Sequence, residues 1–303
     1  MKIIRANDMG MCFGVRDALK MVDDVADPTK VTIHGELVHN PRVIYQLGVA
    51  GFSQSSEEKR DNTPDTPQVL ITAHGISDRE RVRLESSGKE LIDTTFPLVR
   101  RAHDAAMQLA AEGRHVLLIG KPGHVEVQGI VEDLQSHDVV PSVEAVREYT
   151  SKMLGIVCQT TMPSSLLDEI RERISLLNGD ADIRFIDTVC HPTKRRQQAI
   201  LDLIQDVDAV VVVGGKNSNN TRRLAALCEQ HGVPALHVEC AGELNPNWFD
   251  GHEVIGLTAG TSTLDSTITA VETRLASLVV GKTDSNEVSQ TPDLSLNSHM
   301  PFV

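Results

Sequence analysis

Short runs of β-branched and aliphatic residues alternate along the whole chain with longer stretches whose apolar positions recur at helical spacing. That alternation predicts strands joined by crossover helices, so the fold class is α/β, built on parallel sheets. Strands are expected at residues 2–5, 31–34, 68–72, 90–93, 115–119, 155–158, 183–186, 209–213, 235–238 and 253–257. Helices are expected at 15–25, 97–112, 164–177, 193–205, 218–229 and 263–278, several opened by Ser, Thr or Pro. The polar stretch 53–67 reads as a surface loop, and the residues after Gly281 have little to bury and read as disordered.

Ten strands are many for one open sheet. Loops that leave a strand and open a helix recur near residues 12, 96 and 190, a rhythm that points to three similar α/β domains around a central cavity. The expected boundaries are 1–96, 97–193 and 194–281, with residues 1–13 free to pair with the third domain and 282–303 as a tail. Strand-to-helix loops are where α/β sheets bind ligands, so three converging loops would enclose the site.

Charge narrows the function. Across 303 residues, 42 acids against 29 bases leave a net charge of −13, a field that repels nucleic acid and anionic membrane alike. Only 3% of residues are aromatic, too few for base-stacking surfaces. No apolar run approaches the roughly 20 residues of a membrane span, and the N-terminus lacks a signal-peptide profile, so a cytoplasmic location is expected. Five cysteines, an odd number, suit metal ligands, reactive thiols or core packing better than a disulfide scaffold.

The loops hold the unusual residues. Cys12 lies between glycines just ahead of a helix, and Cys190 occupies a similar strand-to-helix turn. Amide N–H groups and the helix dipole favour thiolate at such positions. Cys228 and Cys240 read as packing residues, whereas Cys158 ends a buried strand beside Gln159-Thr160-Thr161. His39, His74 and His124 also stand at turns, with Thr160, Thr161, Ser218, Asn220 and Ser262 at further ones. Together they form a set of uncharged or titratable donors suited to a phosphate or diphosphate, which a protein this acidic must hold locally. Glu126 follows two residues after His124. Buried there, its raised pKa would let it deliver protons.

These motifs resemble the LytB/IspH family, the 4-hydroxy-3-methylbut-2-enyl diphosphate reductases of the non-mevalonate isoprenoid pathway. The likeness runs from about residue 3 to 279 through Gly10-Met11-Cys12-Phe13-Gly14-Val15, Val38-His39-Asn40, Ala73-His74-Gly75, Pro97-Leu98-Val99, Gly123-His124-Val125-Glu126, Gln159-Thr160-Thr161, Cys190 with Thr193 and Arg196-Gln197, Lys216-Asn217-Ser218-Asn219-Asn220 and Thr258-Ala259-Gly260-Thr261-Ser262. The resemblance implies a cloverleaf of three α/β domains around a 4Fe-4S cluster, an external electron donor such as ferredoxin or flavodoxin, and reductive loss of the substrate hydroxyl to give isopentenyl and dimethylallyl diphosphates. It further implies Cys12 and Cys190 as cluster ligands, and His39, His74, His124, Thr160, Thr193, Ser218, Asn219, Asn220 and Ser262 as substrate contacts. Glu126, Thr160 and His124 would carry catalysis, with Glu126 the proton source.

One departure stands out. Phe96 occupies the place of the family's second cluster cysteine, so the cluster is expected to be labile or absent, with Cys158 the other thiol to weigh as a ligand. Three readings follow: a reductase with an altered cluster site, a homologue that binds or transforms a related allylic diphosphate without the redox step, or an ordinary reductase in which Phe96 is a chance or introduced substitution. A nucleotide-binding regulatory protein is disfavoured by the missing Gly-x-Gly-x-x-Gly.

Overall fold

The computed structural model of the chain describes residues 1–56, 60 and 62–280, with only the backbone for the last two. Its elements run β1 (Lys2–Arg5), α1 (Phe13–Asp23), β2 (Val31–His34), α2 (Pro41–Val49), β3 (Ser53–Ser55), β4 (Gln68–Ile71), α3 (Asp78–Ser86), β5 (Glu90–Asp93), α4 (Pro97–Ala111), β6 (His115–Ile119), α5 (Val125–Val131), β7 (His137–Val140), β8 (Met153–Cys158) and α6 (Ser164–Leu177), then β9 (Asp182–Phe185), α7 (His191–Leu203), β10 (Ala209–Val213), α8 (Asn219–Gln230), β11 (Ala235–Val238), β12 (Val254–Ala259) and α9 (Asp265–Val280). The tail expected from residue 282 lies outside the described residues.

The strands form three four-stranded sheets, in the orders β3-β2-β4-β5, β7-β6-β8-β9 and β11-β10-β12-β1, with every pairing parallel. All three follow one plan: two strands at the centre, on one edge the strand that follows the first of them through a helix, and a fourth strand on the other edge. In the third sheet the fourth place is taken by β1, whose Arg5 stands opposite Leu257.

By internal packing the chain divides into two compact units, one of Met1–Asp24 with the described residues from Arg196 on, the other of Val25–Arg195. The second unit holds the first two sheets. Alternation along its strands feeds two cores: Leu117, Ile119, Ile156 and Cys158 pack with Ile170 and Ile174 of α6, while Val116, Leu118 and Val157 pack with Leu109 of α4 and Val127 and Ile130 of α5. In the first unit Val211, Val213 and Leu257 face Val271 and Leu275 of α9, and Val210 and Val212 face Leu224 of α8 and Leu203 of α7. A strand covered on both faces reads as a continuous apolar run, which is why β10 is so plain in the sequence.

The sequence pattern misses β3 and β7. Both are edge strands, and β3 opens the stretch read as loop. The side chains of β3 are largely in water and need no apolar alternation, while β7, with only Val139 and Val140 apolar among its four residues, is too short to show one. The short helices α2, α3 and α5 escape for a related reason, being too brief to show a helical period.

Candidate active site

Nine strands, the two central and the fourth-place strand of each sheet, run directly into a helix. Their turns carry the singled-out residues in a regular way. The first central strands β2, β6 and β10 lead to His39, to His124 and to Ser218-Asn219-Asn220. The other central strands β4, β8 and β12 lead to His74, Thr160 and Ser262. The fourth-place strands β5, β9 and β1 lead to Phe96, Cys190 and Cys12, each immediately before its helix. The carboxyl ends of parallel strands are thus the only source of the candidate chemistry.

In the second unit three imidazoles meet. His39 and His74 stack with centroids 4.3 Å apart, and His124 stands edge-on to them at 5.5 and 5.8 Å. His74 is held well below the usual imidazole range, first by burial and then by the charges of His39 and His124, so it is a neutral donor and acceptor. His124 caps α5 by accepting the Glu126 amide at Nδ1, 3.2 Å away, which places its proton on Nε2. His39 donates from Nδ1 to Glu36 at 2.9 Å, and Asn40 caps α2 by accepting the amides of Arg42 and Val43.

Glu126 is 2% exposed. Its Oε1 accepts the Thr160 amide at 2.6 Å and its Oε2 the Thr160 hydroxyl at 2.9 Å. Those bonds favour the ionised form, yet burial outweighs them and lifts the carboxyl to about 7. A group that titrates there gives and takes protons at neutral pH. The Thr160 carbonyl in turn accepts the Cys190 amide at 2.9 Å, tying the turn after β8 to the one after β9. Cys190 Sγ lies 3.0 Å from the Thr193 hydroxyl on α7.

The first unit orders its own turns. The Cys12 amide donates to the Thr261 carbonyl at 3.0 Å, joining the turn after β1 to the Ser262 turn. Ser218 caps α8, and the buried Nδ2 of Asn220 has no protein partner, a donor free for a ligand. Arg196, quoted in the sequence motif without a role, is buried and holds the Gly10 carbonyl through Nε at 3.1 Å and a terminal nitrogen at 2.6 Å. Gly10 has φ +75°, and a Cβ there would meet Ile268 at 2.7 Å, so only glycine fits ahead of Cys12.

The thiols decide how well an iron–sulfur cluster is served. Of the three equivalent fourth-place turns, two carry cysteine, and the third carries Phe96, whose ring packs with Val99 and Cys190. A phenyl ring has no lone pair for iron. Cys158 does not make good the loss. It is fully buried in the core shared with α6, its Sγ 3.4 Å from the Thr188 hydroxyl, and burial pushes its pKa up. A thiol so placed stays protonated and turned into the core, so the sequence-based expectation that it substitutes as a ligand is set aside. Cys228, on α8, donates to the Leu224 carbonyl and is pushed up to about 12, and Cys240 is exposed. The residues present do not fit a cluster held by three cysteines.

Known proteins are similar to this chain in both sequence and fold. The profile of the LytB protein family matches residues 3–276. The 4-hydroxy-3-methylbut-2-enyl diphosphate reductase of Aquifex aeolicus is 35% identical over 289 residues, 92% of this chain and 98% of that protein. The enzyme of the same name from Geobacter metallireducens is 34% identical over 288 residues, 93% and 100% of the two chains. Among solved structures, the E-1-hydroxy-2-methyl-but-2-enyl-4-diphosphate reductase of Plasmodium falciparum superposes with a TM-score of 0.82 at 24% identity, covering 97% of this chain and 95% of its own. A second, (E)-4-hydroxy-3-methyl-but-2-enyl diphosphate reductase, described as the terminal enzyme of the non-mevalonate pathway, gives 0.63 at 32% identity, covering 91% and 99%. No helix among the described residues is long and apolar enough to cross a membrane. Matched by the family profile over nearly all its length and by relatives above 30% identity from end to end, the chain belongs to the LytB family.

Proposed function

We propose that this chain is an oxidoreductase that acts on 4-hydroxy-3-methylbut-2-enyl diphosphate, the substrate named for its relatives, and replaces the allylic hydroxyl with hydrogen. The observation that carries this reading is one constellation in the second unit: three half-buried imidazoles gathered at strand ends beside a buried carboxyl that titrates near neutrality. His39, His74 and His124 donate to diphosphate oxygens. Thr193, beside Cys190, is a further hydroxyl contact, and in the first unit the strand-end turns of Ser218, Asn219, Asn220 and Ser262 carry hydroxyl and amide donors of the kind a phosphate takes.

Conversion of the alcohol to the alkene diphosphate and water takes two electrons and two protons. Glu126 delivers protons, with Thr160, which donates to both of its oxygens, orienting it toward the departing hydroxyl. Desolvation by the surrounding core keeps the carboxyl protonated until it is needed. The electrons come from an external donor of the ferredoxin or flavodoxin kind. A 4Fe-4S cluster, if bound, would supply the one-electron transfer; the thiols this chain keeps for it are Cys12 and Cys190, and Phe96 leaves the set short. The reaction has no membrane or nucleic-acid component, in keeping with a cytoplasmic site.

Phe96 packed on Cys190 favours a second reading, in which the chain binds or transforms an allylic diphosphate without the redox step. Anaerobic loading with iron and sulfide, followed by substrate and a reduced donor, separates the two. On the reductase reading the wild-type chain converts substrate to isopentenyl and dimethylallyl diphosphates, and Phe96→Cys raises both iron content and rate. Tight substrate binding with no conversion in either protein selects the second reading, and failure to bind the diphosphate rejects both.

A further inference from the structure

Behind the candidate site, in the same unit, one carboxylate joins three helices. Asp133 follows α5 directly and its side chain is 5% exposed. Its Oδ2 accepts the Asp78 amide at 2.6 Å and its Oδ1 the Arg79 amide at 3.1 Å, while Ser77 Oγ accepts the Glu80 amide at 3.0 Å. The first three amides of α3 are thereby satisfied, two of them by a residue from another helix. From α4, the buried His103 packs its imidazole against this carboxylate, Nε2 2.8 Å from Asp133 Oδ2 but outside hydrogen-bonding geometry. Arg79 also donates to the Glu132 carbonyl at 2.9 Å.

Each of these helices begins at a turn of the candidate site. α3 follows His74, α4 follows Phe96, and α5 starts at His124 with Glu126 in its first turn. Glu126 and Ile130 lie one turn apart on α5, and Asp133 stands in the turn two residues beyond its end. Between the site and this junction lies a cavity of about 10 Å³, bordered by His74, His103, Glu126 and Ile130, with room for about one water. Ligand atoms of Asp78, His103 and Asp133 fall within 4.8 Å of one another, the geometry of a cation site. Both Asp133 oxygens, however, already accept hydrogen bonds, and Asp78 faces the Arg100 guanidinium at 2.7 Å, which makes the group a tie between helices.

We infer that Asp133 is a positioning residue, a single buried carboxylate that, packed against His103, fixes the turns bearing His74, His124 and Glu126 and limits the space behind Glu126 to about one water. The inference rests on the proposed roles of those residues in diphosphate binding and proton delivery. Loss of the carboxylate leaves two helix-end amides without their acceptor, and lets the first turn of α5 move.

The test uses the full chain without added metal. Three quantities are measured: affinity for inorganic diphosphate by calorimetry, the Glu126 midpoint by carbon-13 NMR of labelled glutamate, and thermal unfolding. Asp133→Asn keeps the volume but cannot accept every hydrogen, and is expected to weaken diphosphate about tenfold and to lower the Glu126 midpoint by about one pH unit as water enters. His103→Phe, which removes the packed imidazole only, should move both in the same direction by less, and supplies the answer if Asp133→Asn does not fold. Asn178→Ala is the control, since it removes a buried bond to the Tyr149 amide far along the chain from these turns. It should lower the melting temperature and leave the midpoint alone. If the Asp133 and His103 variants melt earlier but keep the wild-type midpoint and affinity, the inference is overturned. Failure of the wild-type chain to bind diphosphate would count against the functional reading instead, with the midpoint still deciding the role of Asp133.

Discussion

Glu126 puts a measurable signature into the pH dependence of the protein. Its folded-state midpoint of about 7 lies above the ordinary glutamate value of 4.5, so the native state binds the extra proton. Stability is unaffected below the unfolded value, falls as pH climbs from about 4.5 to 7, and levels off above, for a total of about 3 kcal/mol. His74 acts in the opposite sense, since its depressed pKa costs stability as pH falls through the imidazole range. The difference between wild type and Glu126→Gln isolates the carboxyl. Denaturant unfolding at pH 5 and pH 8 should show the wild type losing stability relative to the variant, and parallel profiles would refute the raised midpoint. Glu126 and His74 were legible as residues at glycine-bounded turns, and Cys190 as a cysteine where a strand gives way to a helix. Asp133 and His103 were not, because their meaning lies in contacts with groups many residues away, and no local pattern encodes those.

Among the elements, strand ends are packed more tightly than strand middles where the site is built. A Cβ on Gly260, just past β12, would come within 2.1 Å of the Thr221 hydroxyl on α8. Gly260→Ala should therefore destabilise by about 2 kcal/mol, and pairing it with Thr221→Ala should recover part of the loss in a double-mutant cycle read by chemical denaturation. An additive result would mean the two do not touch. The central strands and the helices α4 and α6 were plain in the sequence, since burial on one face of a helix or both faces of a strand writes a period into the residues. The edge strands β3 and β7 bury too little to do so. The shared strand order, with β1 in the fourth place of the third sheet, depends on pairing between distant segments. What the sequence did record of it was the recurrence of turns near residues 12, 96 and 190.

For the molecule as a whole, a net charge of −13 combined with a binding set of imidazoles, hydroxyls and amides makes an unusual electrostatic prediction. A phosphate site made of lysines and arginines weakens as salt screens the attraction. Here the overall field repels the ligand while short-range hydrogen bonds hold it. Raising sodium chloride from about 0.05 to 0.5 M should therefore leave diphosphate affinity within about threefold, or tighten it slightly, when followed by calorimetry. A steep loss would point to a cationic site.

The pairing of β1 with β12 also sets an order of events on the ribosome. Arg5 cannot meet Leu257 until nearly the whole described chain has been made. At about 5–20 residues per second, the first strand synthesised waits many seconds without its neighbour, while Val25–Arg195 already has every strand of its two sheets. Nascent chains arrested after residue 200 should show protease protection over that internal stretch with Met1–Asp24 still open to cleavage, so the cysteine translated first enters its finished surroundings last.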